Sequence, residues 1–484
     1  MTTLKQKTIQ GLLWSFIDNF AMQGITFIVG IVLARLLTPK EFGLIGMITI
    51  FIAISSSFIN SGFGNALIRK QDCTEKDYST VFYFNLLMGI IFFLILFFSA
   101  PAISRFFNEP QLIHLIQVLG IVLIIDALTI IQRIILTKRI DFKLQTKISI
   151  IASIFSGIIG LTMAFQGFGV WSLVAKQISQ QAVNSILLWT WNRWKPLFIF
   201  SLDSFRQLFS FGYKLLLSGL LDTVYRNIYY LIIGKYFSAR ELGFYTRADQ
   251  FQSLPSSNLM GIIGRVSFPV LSSIQDDIPR LRDSYVKIIR STMLITFVLM
   301  LGMAAIARPM VLTLIGEKWE PSIIYLQMLC FVGMFYPLHA LNLNMLQVQG
   351  RSDLFLRLEI IKKALAVPII IIGIFLGIKA MILGMMVLTL IAFYLNSYWS
   401  GRLLGYSFTA QIKDILPSFT LAVAISSIVY IEGLLIFLPP LQLLFIQLIS
   451  GILLTFGICE VVKFKDYHYI KSIVNDKLFK RTAS

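Results

Sequence analysis

Ionisable side chains within two neighbouring apolar segments could bind an anionic group. Asp222 and Arg226 lie four positions apart in one segment, so they share one face of a helix. Arg247 lies in the next segment. The planar guanidinium group donates two parallel hydrogen bonds, which suits phosphate. The alternative is a structural ion pair between Asp222 and Arg226, and the sequence leaves both interpretations open.

Other polar residues within the apolar segments extend this candidate site. An ionisable side chain inside hydrocarbon costs about 2.5–3.5 kcal/mol on insertion scales, so it should face a cavity or a partner. We predict a central substrate-binding cavity lined by Asn19, Asn60, Asn65, Lys176, Asp222, Arg226, Arg247 and Gln250.

Three carboxylates in apolar segments are candidates for carrying a coupling ion, either a proton or Na⁺. They are Asp18, Asp126 and Asp249. Burial favours the protonated form of a carboxyl group, so proton exchange near neutral pH is chemically accessible. A structural hydrogen-bonding role is the alternative for each of them.

The motifs of common enzymes are missing from the sequence. There is no glycine-rich phosphate loop, no paired-histidine metal motif and no nucleophile elbow. Cys73, Cys330 and Cys459 lie far apart, without metal-ligand spacing or the pattern of a disulfide framework. We therefore predict a protein that is not an enzyme and that has no metal or resident cofactor.

Long apolar helices must position these polar residues. Hydrophobic residues make up 57% of the 484-residue chain and charged residues only 14%, against about 25% in soluble domains. A membrane span needs about 20 apolar residues, and a backbone in lipid must satisfy its own hydrogen bonds, which favours helices. The sequence predicts fourteen spans, at residues 11–34, 43–67, 78–99, 111–131, 147–166, 169–191, 212–234, 243–264, 288–306, 322–342, 357–377, 379–401, 415–436 and 438–459.

The positive charges predict the orientation of the spans. The net charge is +18. An even number of spans places both termini on one side of the membrane, and most of the 42 lysines and arginines lie in the termini and connections on that side. The opposite connections hold only Arg35, Lys40, Arg105, Lys235, Arg240, Arg308, Lys318 and Lys379. The positive-inside rule therefore places both termini in the cytoplasm, with the basic tail against anionic lipid headgroups. Cations between apolar segments argue against nucleic acid as a partner.

Two loops are similar in sequence and indicate an internal repeat. Residues 34–45 and 234–245 align without a gap, which pairs Glu41 with Glu241 and Gly43 with Gly243. A second, weaker sequence similarity pairs Asp141 with Asp353 and Asn184 with Asn396. Spans one to six would then match spans seven to twelve as parallel repeats, as in transporters whose site lies between two halves. Chance similarity of short loops is the alternative.

The repeat predicts an all-α polytopic fold of two six-helix bundles plus two additional helices. The predicted boundaries are 1–195 for the first bundle, 196–405 for the second, 406–462 for the additional helices and 463–484 for a basic tail. Glu41 and Glu241 could latch a gate in the matching loops, although ordinary pairing within each loop is the alternative.

Several motifs resemble a known transporter family. They are Gly11-Leu-Leu-Trp-Ser15, Ala34-Arg-Leu-Leu-Thr-Pro-Lys-Glu-Phe-Gly43, Ser61-Gly-Phe-Gly-Asn-Ala-Leu-Ile68 and Gly167-Phe-Gly-Val-Trp-Ser-Leu173. This set resembles the Wzx-type O-antigen and colanic-acid exporters of the multidrug/oligosaccharidyl-lipid/polysaccharide flippase superfamily. The similarity extends over essentially the whole chain.

The resemblance implies a V-shaped pair of bundles around a cationic cavity in the bacterial inner membrane. It further implies alternating-access flipping of undecaprenyl-diphosphate-linked oligosaccharides, the repeat units of O-antigen, capsule or exopolysaccharide, with proton or sodium coupling. The diphosphate would then bind Arg226 and Arg247. Polysaccharide polymerase and glycosyltransferases are the implied protein partners.

Two other functions compete with this interpretation. A cation-coupled multidrug exporter could use the same scaffold, but it should prefer acidic cavity residues, whereas this chain places arginines in its spans. A membrane glycosyltransferase or polymerase usually needs a large loop that bears catalytic acids. The predicted non-cytoplasmic loops are short and poor in acids, which disfavours such an enzyme.

Overall fold

The protein is built from helices throughout the described part of the chain. The computed structural model describes residues 4–479, with their side chains except those of residues 4–13, 15, 16, 257, 260, 262–266, 352, 473, 474 and 476–479. The helices are α1 (Leu4–Leu36), α2 (Pro39–Asn60), α3 (Phe63–Arg69), α4 (Glu75–Phe107), α5 (Leu112–Leu119), α6 (Ile121–Lys138), α7 (Phe142–Phe165), α8 (Trp171–Asn192), α9 (Leu202–Tyr236), α10 (Ala239–Ser272), α11 (Ile278–Ala305), α12 (Ala307–Leu314), α13 (Ser322–Gly333), α14 (Tyr336–Val348), α15 (Ser352–Leu376), α16 (Ile378–Leu404), α17 (Phe408–Leu435), α18 (Pro440–Val461) and α19 (Lys465–Phe479). A 3₁₀ turn, Glu317–Trp319, follows α12.

Ten of these helical stretches within residues 4–479 are long and apolar enough to cross a membrane. They coincide with ten of the fourteen predicted spans. The other four predicted spans coincide with α8, α9, α10 and α15, which are helical but carry more polar side chains. By length and composition the chain is therefore a multi-pass membrane protein, while the count of fourteen spans stays a prediction.

Side chains next to the helix ends determine where several helices begin. Thr38 and Glu41 form a capping box at the start of α2, in which the Glu41 carboxylate accepts a hydrogen bond from the Thr38 backbone N–H at 2.6 Å. Asp141 caps α7 by accepting a hydrogen bond from the backbone N–H of Leu144 at 3.1 Å. Glu41 thus forms its hydrogen bonds within its own loop. This is the pairing within the loop that was the alternative to a gate latch.

The chain forms two compact units, Met1–Gly243 and Phe244–Ser484. The first unit contains α1 to α9. The sequence repeat assigns α9 to the second bundle. In the structure α9 belongs to the first unit because it packs along α2. The boundary at residue 196 describes where the sequence repeat begins again, whereas the boundary after Gly243 describes how the helices pack. The boundary at residue 196 stays a prediction.

Small residues let the helices of the first unit approach closely at one end. A Cβ atom on Gly157 of α7 would lie 2.9 Å from Val29 Cγ2 of α1, and one on Gly160 would lie 2.9 Å from Lys176 Cβ of α8. Ordinary contacts between carbon atoms are about 3.5–4.0 Å, so only glycine permits this spacing. The same three helices carry longer polar side chains at their other end.

The two repeated loops pack against each other reciprocally within the first unit. A Cβ atom on Gly43 would overlap the carbonyl oxygen of Ala239, and one on Gly243 would overlap that of Pro39. In the alignment of residues 34–45 with 234–245, Pro39 corresponds to Ala239. Each glycine therefore contacts the residue four positions before the other glycine, which is the pattern expected of a local two-fold relation. This geometry supports the alignment of the two loops.

The second unit is held together by a buried polar network as well as by apolar packing. The Asn342 side chain of α14 donates a hydrogen bond to Gln411 Oε1 of α17 at 3.1 Å, and its Oδ1 accepts one from Gln411 Nε2 at 3.2 Å. Ser400 of α16 also donates to Asn342 Oδ1. All three side chains are fully buried. Asn342 thereby joins three helices through groups that water cannot reach.

Replacing Asn342 by Leu should destabilise the second unit. Gln411 and Ser400 would lose their partner in an interior where each unpaired polar group costs about 1–3 kcal/mol. Packing around Leu offsets part of this cost, so we expect a loss of about 2 kcal/mol and a lower thermal unfolding midpoint of the purified protein. Asn60→Leu is the matched control, because Asn60 is exposed and, among the described residues, its side chain bonds only to Ser56 of its own helix. Equal midpoints for the two variants would contradict the role given to the network.

The C-terminal helix is anchored to the second unit by its first turn. Asp466 of α19 accepts a hydrogen bond from Arg290 Nε of α11 at 2.9 Å, and Asp414 of α17 lies 3.7 Å from the same guanidinium group. Lys471 forms an ion pair with Glu460 at the end of α18. The segment predicted as a basic tail therefore contains a docked helix.

Candidate functional site

A polar chamber lies inside the first unit. It has a volume of about 450 Å³, is partly open and is lined by residues of α1, α6, α7 and α8. The lining residues are Asp18, Met22, Arg133, Gln145, Ile148, Ser149, Ala152, Gln177, Gln180, Gln181, Asn184 and Leu188. These positions lie in the first half of α7 and the last part of α6, and on α8 they run from Gln177, next to the Gly160 contact at Lys176, to Leu188. The chamber is thus the region where long polar side chains keep the helices apart.

A stripe of amides on α8 forms one wall of the chamber. Gln177, Gln180, Gln181 and Asn184 are spaced by three, one and three residues, so they share one face of the helix. The three glutamines were not among the residues predicted to line the cavity, whose amides were placed on other helices. Their helical spacing within a predicted span was the signal that could have identified them.

Hydrogen bonds between helices hold the wall opposite α8 in position. Gln145 Nε2 of α7 donates to Thr137 Oγ1 of α6 at 3.0 Å and to the Arg133 carbonyl oxygen at 3.3 Å. Thr146 of α7 donates to the Trp14 carbonyl oxygen of α1 at 3.1 Å. On the other side, Trp189 of α8 donates to the Leu128 carbonyl oxygen of α6 at 3.1 Å. The chamber therefore has walls that are tied to one another by specific polar contacts.

Opposite charges face each other in the chamber. Asp18 of α1 and Arg133 of α6 both line it and interact electrostatically. Asp18 Oδ1 is buried and accepts no hydrogen bond from the described residues. Asp126 does not line the chamber itself, but it accepts a hydrogen bond from Nε2 of the lining residue Gln181 at 3.4 Å. The structure therefore brings two of the three predicted coupling carboxylates to the same chamber.

The remaining predicted residues of the first unit lie outside this chamber. Asn19, Asn60, Asn65, Asp222 and Arg226 are exposed, on α1, α2, α3 and α9. Lys176 of α8 is half-buried, and its Cβ packs against Gly160 of α7.

The predicted residues of the second unit cluster at the start of α10. Arg247 is 6% exposed, and its Nη1 donates a hydrogen bond to Gln250 Oε1 at 2.7 Å. Its guanidinium group also lies 5.7 Å from the ring centre of the fully buried Trp319. Stacking of this kind orients an arginine side chain. Asp249 lies next to this cluster in sequence and is half-buried.

No group of three or more metal-ligating side chains occurs among residues 4–479. The chamber instead offers amides, one hydroxyl, one carboxylate and one guanidinium group. This donor set suits hydrogen bonding to a polar organic ligand, since amides supply both donors and acceptors.

The comparison with known families identifies the class of protein. Residues 32–324, more than half of the 484-residue chain, match the family described as "Polysaccharide biosynthesis protein". The chain belongs to this polysaccharide biosynthesis family. The match confirms the family predicted from the sequence motifs.

Two relatives within this class have names that refer to cell-surface saccharides. The teichuronic acid biosynthesis protein TuaB of Bacillus subtilis is 27% identical over 73% of this chain and 74% of its own length. The lipopolysaccharide biosynthesis protein WzxC of Escherichia coli is 27% identical over 77% of this chain and 76% of its own length. This polysaccharide biosynthesis protein thus aligns with both over most of its length.

The fold of this family member matches that of a solved flippase. The structure titled "Lipid II flippase MurJ, inward closed conformation" superimposes with a TM-score of 0.76 at 15% identity, covering 95% of this chain and 99% of that chain. Identity this low shows a shared fold only. The predicted all-α polytopic fold is therefore confirmed.

Proposed function

We propose that the protein flips a lipid-linked oligosaccharide across the bacterial inner membrane by alternating access. The observation that carries this proposal is membership in the polysaccharide biosynthesis family, with relatives named for teichuronic acid and lipopolysaccharide biosynthesis. The substrate is an undecaprenyl-diphosphate-linked repeat unit of O-antigen, capsule or exopolysaccharide. Both termini lie in the cytoplasm, as the positive-inside rule predicts.

The polar groups of the protein lower the barrier to moving the headgroup through hydrocarbon. The lipid tail can stay in the bilayer, while the sugar and diphosphate need hydrogen bonds and counter-charges at every depth. Arg226 and Arg247 are the proposed cations for the diphosphate. The hydrogen bond of Arg247 to Gln250 and its contact with the Trp319 ring support a fixed position for this guanidinium group. Asn19, Asn60, Asn65, Lys176, Asp222 and Gln250 complete the proposed cavity.

Coupling to a cation gradient is a second part of the proposal. Asp18, Asp126 and Asp249 are the candidate carriers of a proton or Na⁺. The bond between Asp126 and Gln181 supports this assignment, because it links a carboxylate to the wall of the chamber. A change in the charge of Asp126 would alter that bond and hence the position of a lining side chain.

Several partners follow from this function. Glycosyltransferases supply the lipid-linked substrate on the cytoplasmic side, and a polysaccharide polymerase consumes the flipped product. Anionic lipids bind the basic cytoplasmic connections. The alternative, a cation-coupled multidrug exporter on the same scaffold, gains less support because the family and both relatives are named for saccharide biosynthesis.

Transport in proteoliposomes tests the function directly. Purified protein should move a fluorescent undecaprenyl-diphosphate-linked oligosaccharide to the far leaflet, and it should not accumulate a lipophilic cationic dye. The reverse result would favour the exporter. Flipping at an unchanged rate after collapse of both the proton and the sodium gradient would rule out coupling while leaving the flippase intact.

Removing both arginines should abolish glycan export while leaving the protein in the membrane. The double variant Arg226→Ala/Arg247→Ala loses the charge-assisted bonds to the diphosphate, each worth about 1.5–3 kcal/mol, so we expect export to fall at least a hundredfold. Complementation of a flippase-deficient strain measures this. Arg308→Ala is the control, because Arg308 is exposed and pairs with Glu320 at the surface. Full export by the double variant would remove both arginines from the mechanism.

A further inference from the structure

The wall of the chamber in the first unit is chemically suited to hydroxyl groups. Each glutamine or asparagine amide offers two N–H donors and a carbonyl acceptor, and a sugar hydroxyl can satisfy either. Gln145 and Gln181 are tied to α6, whereas Gln177, Gln180 and Asn184 line the chamber without such a tie among the described residues. Three amides on one helix face are thus available to a ligand.

The charges of the chamber argue against an ionic ligand. Asp18 and Arg133 face the same space, so the lining is close to neutral. A diphosphate would meet the Asp18 carboxylate, and a cation would meet the Arg133 guanidinium group. None of the twelve lining residues is aromatic, so the chamber also lacks the surface that a lipophilic cation prefers.

The size of the chamber matches an organic ligand. Its volume of about 450 Å³ falls within the range of about 300–1,000 Å³ that is typical of small-ligand pockets. An ion needs only a shell of close ligands, which a space of this size does not supply.

We propose that this chamber binds neutral sugar residues of the transported headgroup, with Gln177 and Gln180 as hydroxyl-binding side chains. The proposal rests on the proposed flippase function and adds that the diphosphate and the sugar of the headgroup bind at different places. The diphosphate binds to arginines elsewhere, and the sugar binds among the amides of α7 and α8. By the predicted orientation, the chamber lies in the cytoplasmic half of these helices, where newly made substrate arrives.

The test compares a double variant with a matched control in the full-length protein. Gln177→Met/Gln180→Met removes two amides at nearly constant volume and spares Gln181, which supports Asp126. Gln166→Met makes the same change at an exposed position outside the chamber. Gln180→Asn keeps an amide but shortens its reach, so it should give an intermediate effect. The probes are glucose, galactose and N-acetylglucosamine, with inorganic pyrophosphate and NaCl for comparison.

The first readout is the shift of the thermal unfolding midpoint that each probe causes. We expect at least one neutral sugar to raise the midpoint of the wild type and of Gln166→Met. The apparent affinity should fall about tenfold or more in the double variant, since two hydrogen bonds are lost. The effect of pyrophosphate should be the same in all proteins. If no sugar acts on the wild type, or if the double variant loses only the response to pyrophosphate or Na⁺, the proposal is wrong.

The second readout separates this proposal from the flippase function. Flipping of lipid-linked oligosaccharide should fall about tenfold in the double variant and stay at the wild-type rate in Gln166→Met. A double variant that flips and binds sugar normally would overturn the sugar site while the flippase stands. A wild type that binds the neutral sugar through these glutamines but flips no lipid-linked oligosaccharide would support the site and refute the flippase.

Discussion

Gly43→Ala should reduce flipping at least tenfold although the protein still inserts into the membrane. The added Cβ atom overlaps the Ala239 carbonyl oxygen, whereas ordinary contacts are about 3.5 Å, so the two repeated loops must separate. The overlap is with a backbone carbonyl group that cannot rotate away, so the cost lies towards the upper end of the about 1–3 kcal/mol typical of overpacking, which lowers the ratio of closed to open loop pairs about ten- to a hundredfold. If the loop pair closes once in every cycle of the proposed transport, the flipping rate falls with this ratio.

Complementation measures the loss of flipping, and cysteine labelling measures the separation. Leu242, fully buried beside these loops, is replaced by Cys in a Cys73→Ser background, and a water-soluble maleimide should label it faster in Gly43→Ala. Gly24→Ala is the control, because a Cβ atom there has no neighbour within 4 Å and alanine favours helix. Wild-type flipping and labelling by Gly43→Ala would show that the loop contact has no part in transport.

Gly62→Ala should cause a comparable loss of flipping at the opposite end of α2. Gly62 has a φ of 69°, a conformation that costs other residues about 1–2 kcal/mol. Its Cβ would also overlap the Gly212 carbonyl oxygen of α9, while a Cβ on Gly212 would lie 2.7 Å from the Ser61 carbonyl oxygen. Strain and overlap add, so we expect at least a tenfold decrease and opening of the seam between α2 and α9 at this end.

The labelled position differs for this variant. Leu208 of α9 is 3% exposed, and nearby Phe63 packs on Phe205 and Phe209 at 5.8 and 6.0 Å between ring centres. Leu208→Cys should become reactive in Gly62→Ala and stay protected in Gly43→Ala, whereas Leu242→Cys should show the reverse. Gly219→Ala, on α9 with open space around it, is the matched control. Exposure of both cysteines in both variants would mean that the seam opens as a whole and that the two ends are not separate gates.

The sequence alone was sufficient for the fold class and the family. Apolar segments longer than a bilayer is thick can only be helices, because lipid offers no partners for the backbone. The aligned loops at residues 34–45 and 234–245 correctly indicated a relation between Gly43 and Gly243, since a repeat preserves the short motif at which the backbones meet. The individual binding and coupling residues stay predictions.

The tertiary structure decided which polar residues share a space. Asp18 and Asp126 could be recognised from sequence as acids within predicted spans, and Asp126 shares one face of α6 with Arg133, seven residues on. Nothing local linked Asp18 to Arg133, or either acid to the amides of α8. That grouping depends on how α1, α6, α7 and α8 pack together, and Gly157 and Gly160 permit the close contacts of α7 with α1 and α8. Helical periodicity predicts which residues share one helix face, whereas a chamber arises where several faces meet, and that is determined by packing between helices far apart in the chain.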